Sequence, residues 1–500
     1  MPIQKILEIK NNDWLKGISA QTNIPIGGLF QYLVNCDPFE QGGLALPSLS
    51  PDNQSLGTIP QFITSWYDNT NDRLYAHTPT KLYSVLKNSP YTVTDVTNQI
   101  NQGAMTGNLN CIGGVAVWKN RYVYASITDN NDLYINNNTI GVQSGNDILL
   151  NHVANYNLNF TPFEIGADGN LYYGMDGAVG VLTAIDTASG NSTTHLIDSG
   201  YRVRALVNDG RYLIILADNN QAFVANKRTG DYKCKIYFWD MVQTDANNRI
   251  IADVIWDLKD SYMIGAKFLE NAVYFFTYSG FFVCNVSTSP KLIRNYPPTI
   301  IPGIYGRPLH NGQITAHKGS IYWLDAADTI DGYVYAYGNP VTGQPKIFYI
   351  PYVYVSSSYV NACIASSGDQ FIVGTSQPGL FFFNVGSTRG NVVVKTIDTN
   401  MISQFKYEYI KVVLGQKLSS GQSVQVIATG AGGTQTISSE TKSYNSANPK
   451  QELKFTRNVN GGSNNPEKFE DITVIVNSNG APIQRVSVYA TPLDDSNEDL

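Results

Sequence analysis

Histidine is the side chain best suited to moving protons near neutral pH, and the chain carries five: His77, His152, His195, His310 and His317. None lies in an HExxH pair and no two share metal-ligand spacing, so the sequence offers no zinc-hydrolase motif. The cysteines Cys36, Cys111, Cys234, Cys284 and Cys363 are scattered and form no CxxC pair. They read as small buried hydrophobes, not as a disulfide framework or zinc site. Asp68–Asp72 (DNTND) and Asp129–Asp132 (DNND) crowd together oxygens that calcium could use. Neither has the spacing or terminal Glu of an EF-hand loop, and Asn/Asp clusters between strands are ordinarily turns. There is no GxSxG elbow, phosphate-binding loop or GxGxxG turn. Paired acids for glycoside hydrolysis would have to converge from distant parts of the chain. The expectation is a protein without catalytic residues, cofactor or metal; a glycosidase is the less favoured alternative.

The elements that would position any such residues are strands. Tyr (32), Phe (20), Val and Ile suit half-buried strands, and 43 Gly with abundant Asn suit the turns between them. Charged residues make up only 15% of the 500, and the net charge of −6 argues against a grip on nucleic acid through a large basic surface. It leaves room for nucleic acid to pass through a neutral or acidic channel without specific binding.

A pattern of polar turn, apolar triplet, turn and second apolar strand recurs seven times. The copies begin at Asn71, Lys119, Asp168, Asp209, Glu270, Lys318 and Gly368. The residues before the triplets are Arg73, Arg121, Asn170, Arg211, Ala272, Ser320 and Gln370, with spacings of 48, 49, 41, 61, 48 and 50. A four-stranded propeller blade has about this period, roughly 40–50 residues. The long interval coincides with Asp240–Ile251, a loop insertion. Short apolar runs precede the copies at Phe62–Trp66, Gly114–Trp118, Phe163–Gly166, Arg204–Val207, Ile264–Phe268, Ile314–Ala316 and Ala362–Ala365. These are expected to be innermost strands, with Lys346–Ile350 and Asn391–Ile397 as outer ones. The predicted fold is therefore all-β: a β-propeller of about seven blades over residues 59–403. A β-sandwich with hairpins at regular spacing is the competing architecture.

Residues 1–58 lie outside the repeat. They are rich in Gly, Pro and Asn with isolated large apolar residues, Trp14, Leu15, Ile24, Phe30, Leu33 and Leu46. The segment is expected to be an extended arm, laid on its own propeller or on a neighbour; Trp14, Leu15, Ile24, Phe30 and Leu33 are its candidate partner contacts. Residues 404–493 hold five to six strands, with clean alternation at Ile472–Val474–Val476 and Val486–Val488–Ala490. They predict a jelly-roll-like C-terminal β-sandwich, followed by an acidic, disordered tail over 494–500. No apolar run has the length of a signal peptide core or a membrane span, so folding in the cytoplasm of the producing cell is expected.

Within the arm stand W-x-x-G-I (Trp14–Ile18), P-x-G-G-L-F (Pro25–Phe30) and D-P-F-E-x-G-G-L (Asp37–Leu44). With the propeller and terminal sandwich behind them, the layout resembles structural proteins of tailed-bacteriophage virions, of the propeller-bearing tail hub, nozzle or ring type. The resemblance implies a homo-oligomeric ring around the genome-delivery channel in the tail or neck. It implies docking to other virion proteins without catalysis. A carbohydrate-binding or adhesion protein, using the sandwich as its sugar-binding module, is the alternative.

Overall fold

The computed structural model describes residues 7–11, 32–34, 49–55, 62–67, 72–78, 81–86, 92–96, 114–126, 132–135, 148–151, 161–185, 192–219, 232–260, 262–296, 308, 310–324, 333–338, 346–351, 361–367, 370–375, 379–385, 390–396, 405–430, 435–456, 472–479, 481 and 483–492. Among them the protein is all-β, with one 3-10 turn at Asn311–Gln313 and no α-helix. The N-terminal segment supplies β1 (Leu7–Asn11), β2 (Tyr32–Val34) and β3 (Leu49–Ser55). Six four-stranded meanders follow in chain order. The first is β4–β7 (Phe62–Tyr67, Asp72–His77, Leu82–Leu86, Val93–Asp95), and the second β8–β11 (Val115–Trp118, Arg121–Ser126, Asp132–Ile135, Ile148–Asn151). The third is β12–β15 (Phe163–Ile165, Leu171–Gly174, Ala178–Leu182, Ser192–Leu196), and the fourth β16–β19 (Arg202–Asn208, Leu213–Asp218, Cys234–Trp239, Val254–Leu258). The fifth is β20–β23 (Met263–Leu269, Ala272–Thr277, Gly280–Asn285, Thr288–Asn295), and the sixth β24–β27 (Ile314–His317, Ser320–Leu324, Tyr333–Gly338, Lys346–Pro351). A seventh sheet holds β28 (Asn361–Ser367), β29 (Gln370–Thr375) and β30 (Gly379–Val385), with β3 as its fourth strand.

Turn chemistry explains why these hairpins are tight. Lys119–Asn120, Glu270–Asn271 and Lys318–Gly319 connect first to second strands, and all six residues have positive φ, between 44° and 75°. Two consecutive left-handed residues match the right-handed twist of the strands they join, which favours Asn and Gly. In the third and fourth sheets the same place is taken by Asp168-Gly169 and Asp209-Gly210, with Gly169 and Gly210 also at positive φ. The Asp209 carboxylate accepts from the Arg211 and Tyr212 amides at 2.8 and 2.6 Å.

Two compact units emerge: Asn53–Gly332 with Ser356–Phe382, and Met1–Asp52 with Tyr333–Val355 and Phe383–Leu500. In the former, the first strands neighbour one another in the order β4, β8, β12, β16, β20, β24, β28, and β28 lies beside β4 again. The cores lie between successive sheets. Trp118 and Val123 of the second sheet pack with Leu171, Tyr173 and Leu182 of the third. Val179 and Val181 of the third meet Leu213, Ile215 and Trp239 of the fourth. Ile214, Leu216 and Phe238 meet Val273, Phe275 and Phe282 of the fifth. Ile372 and Leu380 of the seventh join Leu74, Ala76 and Val85 of the first. Each such side chain contributes roughly 1.5–3 kcal/mol when fully buried. A single blade has no partner for either face, so successive sheets stack around a circle. This is β-propeller character.

The other unit contains two sheets built around the C-terminal strands β31 (Gly390–Thr396), β32 (Phe405–Leu414), β33 (Ser423–Gly430), β34 (Gln435–Ser443), β35 (Glu452–Thr456), β36 (Ile472–Asn479) and β37 (Ile483–Pro492). Their orders are β1-β37-β32-β35 and β2-β31-β36-β33-β34. Alternate residues Val424, Val426 and Ala428, Val474 and Val476, and Val486 and Val488 are buried, as the sequence periodicity predicts.

One feature differs from expectation. Asn391–Ile397 reads in the sequence as the outer strand of the last repeat; instead β31 lies between β2 and β36, with Val394 opposite Val474. The outer position of that repeat is filled by β3. An apolar run such as NVVVK specifies a strand but not the sheet that receives it. Within the segment read as an extended arm, β1 pairs with β37, β2 with β31, and β3 enters the seventh sheet. Leu33 lies on β2 opposite Val392; Trp14, Leu15, Ile24 and Phe30, and the tail 494–500, lie outside the described residues.

Candidate functional site

Charged residues on the first strands are the natural candidates for function, because these strands form the innermost circle. Four with described side chains carry fixed charge: Glu164 on β12, Arg202 and Arg204 on β16, and Lys267 on β20. The arginines are consumed locally. Arg202 Nε meets Asp176 Oδ1 at 3.0 Å. Arg204 occupies a β-bulge, where the β16–β17 register shifts between Val203 and Ala205. The bulge turns its guanidinium onto Asp218 at the end of β17, with Nε–Oδ2 and Nη2–Oδ1 distances of 2.9 and 3.1 Å. Both side chains are buried, 2% and 0% exposed. The Asp218 Oδ2 also accepts from the Met263 amide at 2.9 Å, and Arg204 stacks on the Tyr262 ring at 4.5 Å. Similar register shifts occur on β20 between Met263 and Gly265, and on β28 between Asn361 and Cys363.

Glu164 and Lys267 are different. They sit on the strands that flank β16 in the circle, both half-buried. Among the described residues, Glu164 Oε1 accepts a long 3.3 Å bond from the Ile165 amide. Among the described residues the Lys267 ammonium has neither hydrogen bond nor ion pair. Burial pushes the Glu164 carboxyl up to about 7, against the pull of the Lys267 charge and the Ile165 amide. Burial pushes the Lys267 ammonium down, and the Glu164 charge acts the other way. Each registers the field of the other, yet the two do not touch. Glu164 and Lys267 are two titratable groups whose charged forms burial opposes.

Three of the described histidines make packing contacts. His77 Nδ1 and the Tyr122 hydroxyl lie 2.9 Å apart, joining the first and second sheets. His317 Nδ1 is 2.8 Å from Ser366 Oγ, joining the sixth and seventh. The His195 ring lies 4.9 Å from that of Trp239, and burial lowers its pKa. Cys234, Cys284 and Cys363 are buried, and burial pushes all three thiols up, Cys284 to about 12. His152, Cys36, Cys111, Asp68 and Asp129 lie outside the described residues. No group of three or more His, Cys, Asp or Glu side chains with metal-binding geometry occurs among the described residues.

The insertion at Asp240–Ile251 links the third and fourth sheets. The Leu196 amide donates to Asn248 O and the Ile250 amide to Leu196 O, both at 2.9 Å. Beside it, Asp198 accepts from Lys235 Nζ at 2.5 Å, Tyr237 Oη at 3.1 Å and Arg249 Nη1 at 3.2 Å. Burial acts to raise the Asp198 pKa, but these partners outweigh it and hold the carboxyl below its ordinary range.

No family model and no curated protein matches the chain. Its similarities are to solved structures. A catalytically inactive variant of virginiamycin B lyase from Staphylococcus aureus, crystallised with quinupristin, is 14% identical, with a TM-score of 0.45 over 68% of this chain and 99% of that one. BamB from Moraxella catarrhalis is 12% identical, with a TM-score of 0.38 over 68% and 95%. The computationally designed protein Ika8 is 12% identical, with a TM-score of 0.39 over 68% and 98%. Likeness at this level transfers neither activity nor ligand. No helix among the described residues is long and apolar enough to cross a membrane, which does not bear on β-barrels.

Proposed function

We propose that the chain is a seven-bladed β-propeller with a jelly-roll-like terminal sandwich. In this reading it serves as a structural component of a tailed-phage virion, in the tail or neck ring or nozzle around the genome channel. It acts by assembly with copies of itself and with other virion proteins, without catalysis, and is made in the host cytoplasm. The observation that carries the reading is the distribution of the N-terminal segment over three sheets. A chain that places β1, β2 and β3 in separate sheets interlocks its own ends, as a scaffold under mechanical stress requires. Two of the four charged side chains described on first strands, Arg202 and Arg204, also serve internal bonding.

Electron microscopy of intact particles carrying a tagged copy tests the proposal, with native mass measurement of the purified protein beside it. The expected results are density in the tail or neck and a ring-forming mass, alone or on addition of neighbouring virion proteins. A protein absent from particles and monomeric under all these conditions overturns it. Specific micromolar glycan binding with no particle association would instead establish the adhesion alternative.

A further inference from the structure

We propose that the insertion at residues 240–251 is a strap that closes the outer edge of the third sheet against pairing with a second copy of this chain, and that Asp198 is its latch. The last strand of the third sheet is β15. The outward N–H and C=O groups of such a strand are a template for another chain. Ser192, Thr194 and Leu196 of β15 stand opposite Leu182, Gly180 and Ala178 of β14. The Leu196 amide donates to Asn248 O, and Leu196 O accepts from the Ile250 amide, both at 2.9 Å. Both bonds run away from β14, so the backbone groups of Thr194 and Ser192, two and four residues back, face outward as well. The Asn248 side-chain amide donates to Thr194 O, and Leu196 and Arg249 form a parallel bridge. Among the described residues no other outer strand of a meander receives such a bridge. Symmetry sets what the strap excludes. Two copies of β15 laid antiparallel about Thr194 bring Ser192 opposite Leu196 and Thr194 opposite itself. Each outward N–H then meets an outward carbonyl.

The strap keeps its own shape. Asp245 Oδ1 accepts from the Asn247 and Arg249 amides at 2.8 and 2.9 Å, and Asn248 holds a left-handed φ of 61°. Two anchors seat it on the sheets. One is apolar: Ile250 is buried in the cluster that holds Val179 and Trp239, and Trp239 Nε1 donates to Gln243 O at 2.8 Å. The other is the Asp198 carboxylate, two residues beyond Leu196. Its Oδ1 accepts from Arg249 Nη1 of the strap at 3.2 Å. Its Oδ2 accepts from Lys235 Nζ at 2.5 Å and Tyr237 Oη at 3.1 Å, both on β18. One carboxylate thus ties the strap, the end of β15 and the fourth sheet together. The Asp198 and Arg249 side chains are 35% and 43% exposed, so water can take over their bonds when the strap lifts. Lys235 Nζ keeps Asp257 Oδ1 at 3.8 Å; Arg249 has no second carboxylate among the described residues.

Hydrogen exchange and sedimentation velocity on the full-length protein test the two halves of the proposal. Asp198→Asn is expected to speed exchange of the Leu196 and Ile250 amides about tenfold, while the Ile215 and Leu216 amides of β17 stay within about twofold of the parent. At raised concentration the same variant is expected to reach about twice the parent's mass. Adding Thr194→Pro removes an outward N–H without touching the β14 ladder, and is expected to restore the parent's mass. Asn248→Gly with Arg249→Gln loosens the strap from its own side and suits the left-handed φ. This pair is expected to behave as Asp198→Asn does, and takes its place if circular dichroism shows that variant unfolded. Unchanged exchange at Leu196 and Ile250 in the folded variants overturns the latch. Faster exchange at the parent's mass, or extra association that survives Thr194→Pro, overturns the closing of the edge. These outcomes are independent of the virion reading, which concerns the assembly of the parent.

Discussion

Replacing Asp218 by asparagine tests the account of the innermost strands most directly. Asp218 Oδ2 receives two donors, Arg204 Nε and the Met263 amide, both at 2.9 Å, and Oδ1 receives Arg204 Nη2 at 3.1 Å. An amide has a single acceptor atom, so whichever way the substituted side chain turns, its NH2 group faces a donor. The larger loss is electrostatic: a guanidinium 2% exposed loses the carboxylate it bonds to. Removing one partner of a buried ion pair costs about 3–5 kcal/mol. For a unit of this size that lowers the midpoint of its thermal transition by on the order of 10 °C. Differential scanning calorimetry of the full chain reads this, and hydrogen exchange at the Met263 amide, which loses its carboxylate acceptor, reads it locally. The double variant Arg204→Met, Asp218→Leu removes both charges together. It is expected to regain most of the loss, with a coupling energy of at least about 2 kcal/mol in the double-mutant cycle. A cost below about 1 kcal/mol for Asp218→Asn, or additive losses in the cycle, refutes the reasoning.

Three further outcomes follow from the same geometry. Glu164 has a folded pKa of about 7, above its ordinary 4.5, so the native state holds a proton that the unfolded chain releases between these values. Stability contributed by this group is complete below pH 4.5 and lost as pH rises through 7; Glu164→Gln is expected to match the parent at pH 4.5 and exceed it at pH 8 by at most about 3 kcal/mol in denaturant unfolding. A Cβ on Gly180 would stand 1.9 Å from Cζ of the buried Tyr173 ring, so Gly180→Val is expected to cost about 3 kcal/mol in the same assay. Glu270 holds a left-handed φ of 49° at no gain from its side chain's shape, and Glu270→Gly is expected to raise the thermal midpoint by roughly 1–3 °C.

Much of the repeat was legible because its signals are local. The pairs Lys119-Asn120 and Lys318-Gly319, and the longer Asp168-Gly169 turn, announce hairpins within a few residues. The apolar runs before them are all first strands, including Phe163–Ile165, Met263–Leu269 and Asn361–Ser367, whose bounds fall within a few residues of expectation. Leu49–Ser55 (LSPDNQS) was not legible as a blade strand. It has no apolar alternation, and Pro51 suits only an edge position. Its place is set by a partner distant in the chain, β30. The candidate site was invisible for a different reason. Glu164 in FEI and Lys267 in GAKFL look like solvent-facing residues of alternating strands, and no spacing rule links positions two sheets apart. Arg204 and Asp218 were equally obscure, since their contact needs the extra residue of the bulge to bring them into line.

The contrast between the arginines and the lysine is therefore the most informative feature of the innermost strands. A protein that needed only a rigid ring would gain stability by pairing or removing every charge there, as burying a lone ammonium opposes folding. Arg202 and Arg204 follow that logic, each with its carboxylate on the same or the preceding sheet. Lys267 and Glu164 do not. A methionine at position 267 would leave no ammonium to bury there.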